Sequence, residues 1–232
     1  MIKSIIKKIT PSILIDIKNN IEQSLQEKKF KNLTTKEVFQ LIYEKKIWTP
    51  EKDKKNFKYY SGFGSHNPLL TKNYLKKMKF FLSSFKNKPS IVEIGCGDFQ
   101  VSLNLVSLSK KFYAFDVHNK LINHNKKRYK HLKKVKFKAL DITKKKPPKA
   151  EICIVRCVLQ HLSNAMIKKF LTNVENKFEF LIITEHVPSS NSFKSNQDIT
   201  SGPGIRLHKN SGVDLAEYPF NLKYKKKRIL NI

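Results

Sequence analysis

Five short apolar runs, "SIVEIG", "KFYAFD", "VKFKAL", "EICIVR" and "FEFLIITE", recur between Ser90 and Glu185. Each is rich in branched or aromatic residues and too short for a buried helix, so each reads as a strand. Basic or mixed helical stretches separate the first three, and "SNAMIKKFLTNV", before the fifth, spaces its apolar residues as a helix does. Such strands, alternating with helices, imply a mostly parallel sheet covered on both faces, a doubly wound Rossmann-like α/β fold. Ligands of these sheets sit beyond the carboxyl ends of the strands, near the point where strand order reverses. The residues that close the runs therefore bear on function: Glu93 to Gly97, Asp116, Asp141, Arg156 and Glu185.

The chain ahead of the first run reads as helical. In "TTKEVFQLIYEKKIW", Thr34 and Glu37 are spaced as a capping box, and "PLLTKNYLKKMKFFLSSF" is a second helix, with the glycine-containing loop "YYSGFGSHN" between them. Isoleucines at 2, 5, 6, 9, 13, 17 and 21 with lysines between them make a basic amphipathic stretch. We therefore expect a helical extension over 1–88 and a Rossmann-like domain over 89–232. Beyond "HVPSS" the period is lost through a polar loop, 188–214, too long to be a mere connection and read as a lid or binding element. The tail "YPFNLKYKKKRILNI" alternates weakly, as an edge strand or hairpin would.

A formal net charge of +29 favours acidic partners. Only four of the 47 basic residues are arginine, however, and phosphate or guanine readers usually rely on the arginine fork. Nucleic acid as substrate is accordingly disfavoured. Three cysteines with no framework spacing fit a reducing compartment, hence a cytoplasmic protein. Cys153 lies in a strand-like run and His161 in a helix-like one, so with Cys157 they share no helical face, and no metal site is expected. No segment reaches the roughly 18 apolar residues of a spanning helix. Lys3, Lys7, Lys8 and Asp16 interrupt the start, so no signal peptide is read there. The N-terminal amphipathic stretch packs on the protein's own body or rests peripherally on the anionic inner face of a membrane.

A strand followed by Gly95-x-Gly97 at a helix start is the shape of a nucleotide-cofactor loop, where absent side chains let the ligand approach backbone donors. Asp116 closes the next strand about 20 residues on, where a carboxylate accepts from both ribose hydroxyls. Gln100 stands where a dinucleotide fingerprint has its third glycine, which favours a nucleoside over a dinucleotide. Asp141 is placed to accept an adenine amino group while Ile142 covers the ring. The order Glu-x-Gly-x-Gly, Asp116, "LDIT", then an apolar strand before "LQHL", resembles class I S-adenosylmethionine-dependent methyltransferases over about Ser90 to Glu185. The "YYSGFGSHN" loop further resembles a bacterial group with Ser-Gly-x-Gly-Ser ahead of the cofactor motif, extending the likeness from about Tyr59 to Leu222. The resemblance implies that Glu93, Gly95 and Gly97 hold the methionine moiety, Asp116 the ribose, and Asp141 with Ile142 the adenine. Arg156 then faces the methyl group or the acceptor, or else pairs with Glu185.

The sulfonium is already an activated donor, so such an enzyme mainly aligns its reactants. A hydroxyl acceptor benefits from a general base, and His161 is the first candidate, ahead of His66, His186 and Glu185. Tyr60, Ser61, His66, Asp198 and Arg206, joined by Asn196, are the expected acceptor contacts, and Tyr59, Phe63, Tyr218 and Phe220 are aromatic candidates near the mouth. The fourth run ends in "VRCVLQHL" and lacks the Asn/Asp-Pro-Pro-aromatic tetrad that binds a flipped adenine. The leading expectation is O-methylation of a small molecule or glycan precursor. An RNA methyltransferase and a non-catalytic or dehydrogenase-like nucleotide-binding protein are the alternatives.

Overall fold

The computed structural model describes residues 28–189 and 193–224. The amphipathic stretch at 2–21 lies outside them, as does the tail from 225. All five apolar runs are strands: β1 (Ser90–Ile94), β2 (Lys111–Asp116), β3 (Val135–Ala139), β4 (Ile152–Arg156) and β5 (Phe180–Thr184). They form one parallel sheet in the order β3-β2-β1-β4-β5. The chain winds outward from β1 to β3, then returns to lay β4 on the other side of β1. Strand order thus reverses between β1 and β4, directly beneath the Gly95–Gly97 turn.

Alternation along the strands feeds two cores. Val92, Ile94, Phe115, Cys153 and Val155 face one side, where α1 (Thr35–Glu44) and α5 (Asn164–Val174) bring Val38, Phe39, Ile42, Ile167 and Phe170. Ile91, Phe112, Ala114, Ile152 and Ile154 face the other, covered by Tyr74, Met78 and Leu82 of α3 (Pro68–Ser83) and Ile122 of α4 (Asn119–Arg128). Each side chain on a strand can satisfy only one face, so a sheet buried on both faces needs continuous apolar runs.

The helix starts follow local chemistry. The capping box closes as spaced: Thr34 Oγ1 accepts from Glu37 N at 3.3 Å, and Glu37 Oε2 accepts from Thr34 N at 2.8 Å. Asn67 caps α3 by accepting from Leu69 N, with Pro68 supplying a fixed φ at its first position. A single turn, α2 (Phe63–His66), precedes α3 within the glycine-containing loop.

One expectation fails. The segment after the glycine turn is a 3-10 run, Ser102–Leu108, rather than an α-helix. Its serines, Asn104 and Val106 are indifferent helix formers, and Asn104 Nδ2 bonds back to the carbonyls of Gln100 and Val101. Of the tail, 218–220 form a turn and 221–224 no strand, with Leu222 N bonded to Leu215 O; the rest of it lies outside the described residues. No described helix is long and apolar enough to cross a membrane.

Candidate functional site

A cavity of about 450 Å³ opens over the carboxyl ends of β1, β2 and β4, at the reversal of strand order. Glu93, Gly95, Gly97, Asp116, Asp141, Ile142, Arg156 and His161 all line it, as does Ser61 from the loop before α2. These residues span a hundred positions of sequence and are gathered only by the parallel register of the strands.

Both glycines take positive φ, +72° at Gly95 and +53° at Gly97. The close approach they permit is made partly by the chain itself. A Cβ at Gly95 would fall 2.4 Å from Val158 Cγ2, and one at Gly97 would fall 2.3 Å from Ser61 Oγ. Ser61 Oγ accepts from Asp98 N at 2.7 Å and lies 3.2 Å from Tyr43 Oη, tying the pre-α2 loop onto the turn. The bare main chain at Gly97 thus serves this contact, a role that the sequence reading gave wholly to a ligand.

Asp116 sits against the same turn. Its Oδ2 accepts from Gly97 N at 3.1 Å and its Oδ1 from His118 N at 3.0 Å. An ionised carboxylate offers about four lone-pair sites, so each oxygen retains capacity toward the cavity. Glu93 is 5% exposed, and Ser102 Oγ donates to its Oε1, while Oε2 is buried with no partner. At Asp141, Oδ1 accepts from Thr143 N and Oγ1, and Oδ2 is likewise buried and unpaired. Burial pushes the Glu93 carboxyl up to about 7 and that of Asp116 up to about 6. A cavity with unpaired, desolvated carboxylate oxygens inside a chain of net charge +29 suits a ligand that carries positive charge and hydrogen-bond donors. An adenosyl amino acid with a sulfonium and an ammonium group meets that requirement, and the cavity falls in the range of about 300–1,000 Å³ usual for small ligands.

Residues 91–177 match the family model described as a methyltransferase domain. Over that stretch, a little over a third of its length, the chain is similar to methyltransferase domains. No curated protein matches the chain in sequence. Solved structures that resemble part of the chain include the CMeT domain of citrinin polyketide synthase, 16% identical with a TM-score of 0.46 over 53% of this chain and 36% of that one. DhpI in complex with SAH is 14% identical, with a TM-score of 0.44 over 55% of this chain and 63% of that one. The glycopeptide N-methyltransferase MtfA with S-adenosylmethionine is 12% identical, with a TM-score of 0.42 over 50% and 51%. The chain therefore covers between 36% and 63% of the length of these three.

Several expected acceptor contacts lie away from the cavity. Arg206, 1% exposed, donates to the carbonyls of Gln197, Leu159 and Leu162 and to Asn164 Oδ1. Asp198 accepts from Asn164 N and Ile199 N, and Asn196 ties Asp214 and Tyr218 together. All three serve to fasten the 193–214 loop to the start of α5. Tyr60 stacks on His66 at 4.0 Å, and His66 Nε2 bonds Asp98 Oδ2 at 2.5 Å, so both brace the glycine turn from behind. Of the aromatic candidates only Phe63 lines the cavity: Tyr59 packs on Tyr43 and His118, Phe220 on the core, and Tyr218 projects outward.

Arg156 does not pair with Glu185. Its Nη2 donates to Gly64 O at 2.6 Å and its Nη1 to Ser65 Oγ, fixing α2 over the end of β4, while Nε is buried and unpaired. Glu185 instead accepts from Val158 N, Leu159 N and Gln160 N. Both ring nitrogens of His161 are bonded, Nδ1 to Gly204 O at 2.9 Å and Nε2 to Gln160 at 3.4 Å, and burial lowers its pKa to about 4. It is neutral at pH 7 and a poor proton acceptor there. The sequence reading missed Tyr43, Val158 and Gln160, which also line the cavity. Nothing local marks them, because their roles arise from contacts across the sheet.

Proposed function

We propose that this chain catalyses methyl transfer from S-adenosylmethionine to a small molecule or glycan precursor, at a hydroxyl oxygen. The observation that carries the proposal is the pair of buried, unpaired oxygens, Glu93 Oε2 and Asp141 Oδ2, in residues that line the cavity together with the Gly95–Gly97 turn. Glu93 with the glycine turn would receive the amino-acid end, Asp116 the ribose hydroxyls, and Asp141 with Ile142 the adenine. When bound, the cofactor supplies an activated methyl group on a cationic sulfur. Arg156 holds α2, with Phe63, as one wall of the cavity, and Ile205 and Leu207 contribute apolar surface that excludes water from the reacting atoms.

An RNA acceptor is the second reading, favoured by the charge of +29. The described arginines argue against it. Arg206 is buried, the Arg128 guanidinium lies over the Tyr129 ring at 5.4 Å, and Arg156 is committed to α2.

Thermal unfolding with S-adenosylhomocysteine and with NAD tests the cofactor. A ligand at 100 times its Kd stabilises the native state by about 2.7 kcal/mol. The midpoint should rise with the first and stay unchanged with the second; the opposite pattern refutes the assignment. Tritiated S-adenosylmethionine offered with separated small-molecule, glycan and RNA fractions then tests the acceptor, and label in RNA alone overturns the leading reading.

A further inference from the structure

His161 was the expected base, yet its nitrogens are occupied, and the bonds that occupy them lead to a second imidazole. The Gly204 carbonyl can only accept, so His161 Nδ1, 2.9 Å away, carries the proton. His161 Nε2 is then an acceptor, and the group facing it at 3.4 Å must be the amide nitrogen of Gln160. That turns Gln160 Oε1 the other way, where it meets the backbone N of His186 at 3.2 Å and His186 Nδ1 at 2.9 Å. The His186 backbone N–H can only donate, so the same amide orientation is required from both ends of the chain of bonds. His186 Nδ1 therefore carries its proton, and Nε2 keeps its lone pair.

His186 lines the cavity, and no described residue bonds its Nε2. A Cβ at Gly64 would sit 3.4 Å from His186 Cε1 and 4.0 Å from Nε2, at ordinary contact distance, so this edge of the ring faces Gly64 across the cavity lining. Glu185, one residue earlier, holds the amides of Val158, Leu159 and Gln160 and so sets Gln160 over the ring. We infer that His186 Nε2 takes the proton of the methyl acceptor, with Gln160 and His161 as positioning residues; this rests on the methyl-transfer reading above. The acceptor's X–H bond breaks and its proton goes to Nε2, leaving an imidazolium. The X electron pair forms the bond to the methyl carbon, whose bond to sulfur breaks with the electron pair retained on sulfur. Burial and the neighbouring Arg156 charge lower the His186 pKa, which keeps the ring neutral and ready at pH 7.

The experiment needs no acceptor. Histidine labelled with ¹⁵N in the full chain, with His186 assigned by His186→Gln, reports the tautomer directly. The wild type should show a protonated Nδ1 and a bare Nε2 at His186. Gln160→Ala should draw the two shifts together, and Gln160→Glu, which keeps an acceptor at Nδ1, should preserve the tautomer should the alanine variant fail to fold. Diethylpyrocarbonate, which attacks bare imidazole nitrogen, should modify His186 at least about tenfold faster than His161, and S-adenosylhomocysteine should not remove the difference in tautomer. An Nε2–H tautomer at His186, or reaction at His161 as fast as at His186, overturns the inference. Stabilisation by S-adenosylhomocysteine is read on the same samples. Its absence refutes the methyltransferase reading, whereas its presence with the wrong tautomer refutes only the role of His186.

Discussion

Gly97→Ala separates a steric account of the glycine turn from a purely ligand-based one. At φ +53° an alanine is held in the left-handed region, costing about 1–2 kcal/mol. Its Cβ would also lie 2.3 Å from Ser61 Oγ and 2.8 Å from Ser61 Cβ, so Ser61 must leave. Ser61 Oγ accepts from Asp98 N, and a buried amide left without its acceptor costs about 1–3 kcal/mol. The sum is a loss of about 2–5 kcal/mol, in the absence of any ligand. Urea unfolding of the apoprotein measures it, and a double-mutant cycle with Ser61→Gly isolates the contact. In the Ser61→Gly background only the backbone cost of about 1–2 kcal/mol should remain. If Gly97→Ala leaves the apoprotein within about 0.5 kcal/mol of wild type, or if the two substitutions are additive, the Ser61 contact does not explain the glycine.

Asp116→Ala should abolish the thermal stabilisation by S-adenosylhomocysteine, and Asp116→Asn should destabilise the apoprotein by about 1–3 kcal/mol, because an amide NH₂ would face Gly97 N or His118 N. Arg206→Met strands the buried Leu162 carbonyl and removes bonds to those of Leu159 and Gln197, and should cost about 2 kcal/mol or more, with faster proteolysis of the 193–214 loop as the local readout. The carboxyls of Glu93 and Glu185, raised to about 7, and of Asp116, raised to about 6, favour the folded state most when protonated. Their contribution is complete below the ordinary carboxylate range and lost as pH rises through about 7. His161, lowered to about 4, opposes them, since its contribution is present above the usual histidine value and lost as pH falls through about 4. Burial also lowers His118, His124 and His186, which oppose the carboxyls in the same sense. The three carboxyls carry the larger shifts, so the urea midpoint of the apoprotein should fall between about pH 5 and pH 8. Binding of S-adenosylmethionine should release protons and tighten over the same interval; calorimetry in buffers of different ionisation enthalpy measures the release, and proton uptake would refute the placement of its charge.

Elements whose signal is local were legible in the sequence. The strands announced themselves as branched and aromatic runs, the capping box as Thr34 and Glu37, and the cavity carboxylates as the residues closing each run. The errors share a cause, which is that a polar residue's partner is chosen across the fold. Arg206 read as an acceptor contact because an arginine in a polar loop is usually exposed, yet it is spent on carbonyls at Leu159 and Leu162, more than forty positions away. Ser61 and Gly97 meet because α3 and the loop before α2 are laid over β1, and no pattern within either segment foretells it. His161 and His186 were both visible as histidines, but which one keeps a lone pair depends on the direction of one amide between them.

The adjacency of Glu185 and His186 has a consequence for how this chain tolerates change. Just past the end of β5, Glu185 clasps the 158–160 amides while His186 bonds the Gln160 side chain and lines the cavity. Loss or gain of a single residue within β5 would trade their places, bringing a ring where three donors wait for an anion and an anion where the ring belonged. Insertions can therefore accumulate in the loop that follows, but the length of this short strand is fixed to the residue.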